Sequence, residues 1–400
     1  MILPLLAFAP PAVHAPVPRP PQMLDVTAYG AVADDNRDDA AAINAALRAA
    51  RPGDVVIIPA GTFHLDRPVV LETDGVTLRG AGQSQTRLVS RMTTRQAGDD
   101  GAVTVRGEKG QRFGTTARPA RQGTLATIVT PRRGQAVRPG DVLWFGAAND
   151  DGFLRRLGSE RWSREYPWVR QTMNVTALVR DSGALVVVGF RHRLDLDLPS
   201  GSDVFAARPV RGASLERFTV SQAVPGGQPT AVAGVYENVF PDYNLPAVQW
   251  MWTEGGTMRD VSVEMAGGHA VVIENTLGLN MDGLDVNGAW NKGAGGTGYV
   301  RFARAYRCTL TRATVRNIRH VAFQWSAAYN TISNSRLFVD VNFHGGFSRY
   351  NVVTGTSITP PSSHRWAPVI KTPDDARWAP ADGPGNRVDG YTAVFPGQDD

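Results

Sequence analysis

The chain has 400 residues, with 42 Lys and Arg against 37 Asp and Glu, a formal net charge of +5. Hydrophobic residues make up 42% and charged residues 20%, which excludes wholesale disorder and a collagen-like fibre. The single cysteine, Cys308, excludes a disulfide framework and a cysteine-based zinc site, and no apolar run approaches the ~18 residues that span a bilayer.

The basic residues are almost all arginine. Only Lys109, Lys292 and Lys371 are lysines, and no Lys/Arg-rich tract occurs. Nucleic acid is therefore not an expected partner, whereas the planar fork of Arg suits an acidic polymer. At the N-terminus, the apolar stretch Met1 to Ala9, the pattern Val13-His14-Ala15 and the proline-rich run Pro16 to Pro21 read as an export signal and linker over residues 1–22, with no basic residue before the apolar stretch. The expected location is secreted or periplasmic, with no membrane insertion.

After Asp25, an Asp-rich stretch leads into Ala40, Ile43, Ala46 and Leu47, whose spacing predicts one short amphipathic helix started by acidic residues. Val55 to Phe63 reads as a strand and turn, and Val69 to Leu71 and Val76 to Leu78 as further short strands. Residues 92–210 break this rhythm with Trp144, Trp162 and Trp168 and strand-like runs at 140–145 and 184–190. They are expected to form a β-rich insertion packed on the main body.

From 255 to 358 one pattern returns. The segments 258–263, 279–286, 308–315, 331–338 and 351–358 end at 263, 286, 315, 338 and 358, in steps of 23, 29, 23 and 20. A period in the low twenties, built of short strands without a helix, predicts a parallel β-solenoid whose coils stack on one another. A second strand per coil follows at 269–274, 298–303, 321–326 and 341–346, where Val271/Ile273, Val300/Phe302, Phe323/Trp325 and Val341/Phe343 share one parity and are assigned to the core.

The opening Asp25 to Ala31, the Ala-Ile-Asn-Ala-Ala-Leu helix and Ile57-Ile58-Pro59-Ala60-Gly61-Thr62-Phe63 resemble the N-terminal signature of the pectate-lyase-like right-handed parallel β-helix proteins. The resemblance covers residues 25–90 closely and later coils only through their periodicity. It implies an all-β fold with a helix capping the N-terminal end of the solenoid. It specifies the reaction weakly, since the superfamily includes lyases, hydrolases, epimerases, transferases and tailspikes. The Asn-Thr-Asp, Asp-Asp and Gly-His-Gly pattern of polygalacturonases is absent. One β-helix domain is expected over 23–400, with cap and first coils at 23–91, the insertion at 92–210, and main coils and C-terminal cap at 211–400.

The parity opposite the core carries the chemistry. Asp340, Asn342 and His344 share an outward face, with His320 and Gln324 expected on the preceding coil and Tyr299 and Arg301 on the one before. Four of the seven histidines, His269, His320, His344 and His364, fall in this quarter. Arg349, Tyr350, His364-Arg365-Trp366 and Arg377-Trp378 follow and could fold back over the face; an Arg beside an aromatic suits a sugar ring carrying a carboxylate. Tyr243, Glu254 and Glu274 are further candidates for substrate contact or an acid/base pair. Gly293 to Gly298 spells a dinucleotide glycine pattern, but with no helix following it reads as a loop beside the groove. Cys308 aligns with the inward Leu279 and reads as core.

The expected function is cleavage of an acidic, uronate-containing glycan by β-elimination, with His344 as base, Arg301, Gln324 and Asn342 neutralising the carboxylate, and Tyr299 as acid. His320 with Asp340 is the alternative acid/base pair, and Arg349, Arg365, Trp366, Tyr243 and Glu274 are expected substrate contacts. Two other classes stay open. A glycoside hydrolase or transferase would use paired carboxylates, such as Asp340 with Glu274 or Glu254. A non-catalytic glycan-binding or tailspike-like solenoid would keep the groove without the chemistry. No cofactor is required by these residues; Ca²⁺ is left open.

Overall fold

The computed structural model describes residues 19–162, 170–228, 234–390 and 392–393. Residues 1–18 of the expected leader and Trp168 lie outside them. The chain folds into a right-handed parallel β-helix carrying an inserted barrel. The helix Ala40–Ala49 buries Ala40, Ala42, Ile43, Ala46 and Leu47 against the first coils, and no acidic residue stands in its first turn. Asp39, just before it, instead accepts hydrogen bonds from the backbone N–H groups of Val32 and His64, tying the cap to the strand Gly61–Leu65.

Two parallel sheets wind around one apolar core. One runs through Val248–Glu254, Val271–Leu277, Tyr299–Tyr306, His320–Gln324, Asp340–Phe343 and Val369–Lys371, each paired in parallel with the next. Its inward side stacks Val271, Val300, Val321 and Val341 in one column, and Ile273, Phe302, Phe323 and Phe343 in the next. The valines and phenylalanines that share one parity thus form two neighbouring columns, both on the core side as expected. In the other sheet Val263, Val286, Val315, Leu337 and Ile358 stack in register. Leu337 takes the inward place assigned to residue 338, and Phe338 is 39% exposed.

Polar ladders fill positions where the coil turns. Asn351 accepts from the Asn330 side chain at 2.8 Å and donates to Asn386 at 3.0 Å, all three buried. Cys308 lies on the same ladder, with its backbone N–H on Asn330. Its buried thiol is pushed up to about 12, which suits a core residue rather than a nucleophile.

The insertion closes into a six-stranded antiparallel barrel built from strands between Glu108 and Arg208. It has its own core around Phe113, Leu143, Phe145, Val188 and Val204. A second apolar cluster joins Trp144, Met173 and Val175 of the barrel to Leu277, Tyr306 and Ala328 of the solenoid.

Arg349 anchors this seam. It is fully buried, donating to Asp195 at 2.6 Å, to Ser326 Oγ at 2.8 Å and to the Gln171 carbonyl at 2.9 Å. This corrects its expected place on the substrate face: its donors are consumed in holding barrel to solenoid. Arg349→Ala would leave Asp195 buried without its charge partner and is expected to cost about 3–5 kcal/mol, measured by chemical denaturation. A change within about 0.5 kcal/mol, usual for a surface site, would show that the pair does not hold the seam.

Candidate active site

The site stands on the last coils of the sheet that carries Tyr299–Tyr306, His320–Gln324 and Asp340–Phe343. Because side chains alternate along a strand, the valine and phenylalanine columns that fill the core force the residues between them outward. The register gives Tyr299, His320 and Asp340 in one outward column and Arg301, Ala322 and Asn342 in the next. Tyr299 therefore neighbours His320, and Arg301 lies beside Ala322.

These residues face away from the solenoid core, but the expected open face is covered. His320 is 2% exposed and Asp340 0%. The segment His364 to Trp366 returns over them, as expected, and Tyr236 joins it. Asp340 Oδ1 lies 2.7 Å from His320 Nδ1 and 2.8 Å from His364 Nε2. A carboxylate only accepts, so both imidazole nitrogens donate to it. Tyr236 is hydrogen-bonded to His364 Nδ1 and completes the chain as donor; burial first, then the Asp340 charge, pushes its phenol up to about 12. Burial alone would raise Asp340, but His320 and His364 outweigh it and hold its carboxyl below the usual range. Trp366 packs edge-on against His320 at 4.6 Å and against Tyr236 at 4.8 Å.

Beside this network opens a cavity of about 390 Å³, lined by Tyr299, Arg301, Arg319, Gln324, Trp325, His344 and Trp378, with Gly295 and Gly296 at its edge. Tyr299 sits among three imidazoles, with ring centroids 5.0 Å from His320, 5.3 Å from His269 and 5.9 Å from His344. Burial, with His320 and Arg319 nearby, pushes His344 down to about 4; burial and Arg301 push His269 down to about 3. Burial raises the Tyr299 phenol. At neutral pH the cavity thus holds a neutral imidazole next to a protonated phenol. Arg301 Nε, Arg319 Nε, Asn342 Oδ1 and His344 Nδ1 are buried with no hydrogen-bond partner among the described residues. Such groups are costly to leave unmet unless something else meets them.

Of the expected contacts, Tyr299, Arg301, Gln324 and His344 line the cavity, while His320, Asp340 and Asn342 lie outside its lining. Glu274 is the charge partner of Arg304 at 2.6 Å and of Arg301 at 3.7 Å. Arg365 is exposed, 5.8 Å from the Tyr236 ring. Tyr243 packs instead with Val224, Met265 and Trp290, and Glu254 pairs with Arg191 and Arg211. Arg319, Trp325 and Tyr236 were not anticipated. Trp325 was assigned to the core, but its φ of +52° breaks the alternation and turns its ring to the cavity; the turn is tight, since a Cβ on Gly346 would meet that ring at 2.7 Å. Among the described residues no group of three or more His, Cys, Asp or Glu is placed to hold a metal ion.

Residues 23–130 match the family described as rhamnogalacturonase A/epimerase, pectate lyase-like. That match covers the N-terminal part of the chain, and the chain as a whole has a parallel β-helix fold. Similar solved structures include the tailspike of Acinetobacter baumannii bacteriophage AP22 in complex with an A. baumannii capsular saccharide, at TM-score 0.56 and 9% identity over 93% of this chain. Others are the tailspikes of Pseudomonas phage LKA1, at 0.55 and 13% over 92%, and Pseudomonas phage phi297, at 0.52 and 13% over 93%. The chain spans 58%, 64% and 75% of these three tailspikes in that order. No curated protein matches it.

The depressed His344 sets the sign of a pH effect. Its unfolded imidazole, near 6.5, takes up a proton where the folded one does not, so stability falls as pH drops from about 6.5 towards about 4. Asp340 acts in the same direction at lower pH: its contribution is present above the unfolded carboxyl value and is lost as pH falls through the folded one. His344→Gln is expected to remove up to about 3 kcal/mol of the loss between pH 6.5 and 4, read by denaturation across that range. An unchanged slope would show that His344 titrates like a free histidine.

Proposed function

We propose that the cavity takes an anionic sugar unit of a polysaccharide and cleaves the chain beside it by β-elimination. The observation that carries this reading is the lining itself: two guanidiniums, a neutral imidazole, a protonated phenol and two tryptophans, with no carboxylate. Hydrolysis by paired carboxyl groups would need two of them flanking the bond.

In the proposed reaction Arg301, Arg319 and Gln324 hold the uronate carboxylate and offset the charge that builds up on it. The neutral His344 takes the proton from the carbon next to that carboxylate. The released electron pair forms the carbon–carbon double bond, the glycosidic C–O bond breaks, and the Tyr299 phenol protonates the leaving oxygen. A proton passing from the His344 imidazolium to the Tyr299 phenolate restores the starting state, and no water is consumed. Trp378, 52% exposed, offers a flat ring to the apolar face of a neighbouring sugar. His320, oriented through Nδ1 by Asp340, keeps Nε2 as an acceptor and is the alternative base.

The saccharide-bound AP22 tailspike supports a glycan ligand for this fold. The same complex is compatible with a second reading, in which the groove holds a glycan without cutting it. As part of the same proposal the protein acts in the periplasm or outside the cell, a reading supported by the export pattern of residues 1–22.

On uronate-containing glycans the purified protein is expected to release products with the ultraviolet absorbance of an unsaturated uronate. His344→Ala should lower turnover about 100- to 10,000-fold, with Arg319→Ala weakening substrate binding and removing part of its salt dependence. Saturated products would assign hydrolysis; binding without product would assign the tailspike-like reading. If His344→Ala stays active and His320→Ala is inactive, the base is His320.

A further inference from the structure

The strand Asp340–Phe343 gives way after His344 to a turn of unusual backbone. Gly345, Gly346 and Phe347 follow one another at φ +76°, +68° and +64°. A run of left-handed residues that includes a non-glycine persists only when its surroundings hold it. What holds it is the segment Ala379 to Gly383. The Gly346 N–H donates to the Pro380 carbonyl at 2.6 Å, the Phe347 N–H to the Ala381 carbonyl at 2.9 Å, and the Gly383 N–H back to the Ser348 carbonyl at 2.8 Å. A Cβ on Gly345 would run into the Pro380 carbonyl, so the two segments are in direct contact.

The first N–H of the turn is met by a side chain. Asp382 Oδ1 accepts from the Gly345 N–H at 3.1 Å and from the Ser348 hydroxyl at 2.6 Å, and its Oδ2 accepts from the Thr372 N–H at 2.8 Å, which the Phe343 carbonyl shares at 3.1 Å. Each carboxyl oxygen thus faces a backbone N–H. Only a group with two acceptor oxygens satisfies both; an amide of the same shape must turn its NH₂ towards one of them. Asp382 also stands four residues after Trp378, on the segment that brings that ring to the cavity, and this segment is tied to the barrel where the Ala381 N–H donates to Ser159 Oγ at 2.9 Å.

We propose that Asp382 is a positioning residue for the cavity, fixing His344 through the left-handed turn and Trp378 through the segment that crosses it. Asp382 is not part of the cavity lining, so it acts through these two residues. The roles of His344 as base and Trp378 as platform rest on the cleavage reading; their placement does not. Asp382 is half-buried, and burial outweighs its hydrogen bonds and the pull of Lys371, pushing its carboxyl up to about 7. Of the segments that supply its donors, Gly345 to Ser348 carries no ionisable side chain; His344 precedes it, Arg349, paired with Asp195, follows it, and exposed Lys371 precedes Thr372. As pH rises through about 7 the carboxyl gains its second full acceptor, so the fixed arrangement belongs to the higher-pH side. His344, pushed down to about 4, stays neutral across that step.

NMR of the full chain with isotope-labelled histidine tests it, the His344 ring resonance being assigned by its loss in His344→Gln. That resonance is expected to show an inflection near pH 7, absent in Asp382→Asn and moved to higher pH in Lys371→Gln, which removes an exposed charge that favours the carboxylate. On a uronate-containing glycan, folded Asp382→Asn should lose about 10- to 100-fold in kcat, the scale of a small misplacement at the reacting centre, and the rise of kcat/KM through that pH should go with it. If Asp382→Asn fails to fold, Lys371→Gln still decides. The inference is overturned if the inflection is missing from the unsubstituted protein, persists in Asp382→Asn or stays in place in Lys371→Gln. The expected resonance changes without any unsaturated product would uphold the positioning and sink the cleavage reading; product release indifferent to Asp382→Asn would do the reverse.

Discussion

The register of three parallel strands, Tyr299–Tyr306, His320–Gln324 and Asp340–Phe343, is the constraint on which the rest depends. It is set from the inside: Phe302 and Phe323 lie 4.9 Å apart, and Phe323 and Phe343 stack at 5.6 Å with an interplanar angle of 15°. A slip of one residue would turn these rings to the outside and bury the polar set in the core, which the hydrophobic term forbids. A slip of two would keep the alternation but separate His320 from Asp340. The aromatic stack thus decides which chemical groups meet on the far side of the same strands.

What meets there is unusual for a surface. Asp340 is fully buried yet charged, which is tolerable because two imidazoles donate to it and a tyrosine backs one of them. The carboxylate fixes the ring orientation of His320 and pins His364, and through it the returning segment, onto the solenoid. Trp366 then closes the top. The network is at once the joint that holds the C-terminal return in place and the wall of the cavity beside it.

Much of this was legible in the sequence, and the parts that were not have identifiable reasons. Period-two alternation and the repeat length suffice for the solenoid, for the pairing of His320 with Asp340 and for the outward set of Tyr299, Arg301, Gln324 and His344. Parity fails where the strand ends. Arg319 sits one residue before its strand begins, where alternation carries no information, and Trp325 lies in the left-handed region just after it. Arg349 was misread for another reason: nothing local marks an arginine whose partners, Asp195 and Gln171, are more than 150 positions away on an inserted barrel. Tyr236 was likewise invisible, since it reaches His364 across 128 positions. Exposure was overestimated for the same cause, because parity says which way a side chain leaves the core and not what later folds over it.

The two cavity arginines differ in what they have left to give. Arg301 shares Glu274 with Arg304, so much of its charge is already answered. Arg319 pairs with no carboxylate among the described residues; it is held by the Gly293 carbonyl and by the Trp366 ring, 5.1 Å from its guanidinium carbon. A cation over an aromatic face keeps its full charge while losing part of its hydration, so an incoming anion displaces little water and meets no competing carboxylate. In the proposed reading Arg319 would therefore be the stronger anion contact of the two. Because Trp366 belongs to the segment that Asp340 pins through His364, the proposed anion contact of Arg319 and the orientation of His320 depend on the same fold-back. Loosening that segment would weaken both together, although neither Arg319 nor His320 itself would have changed.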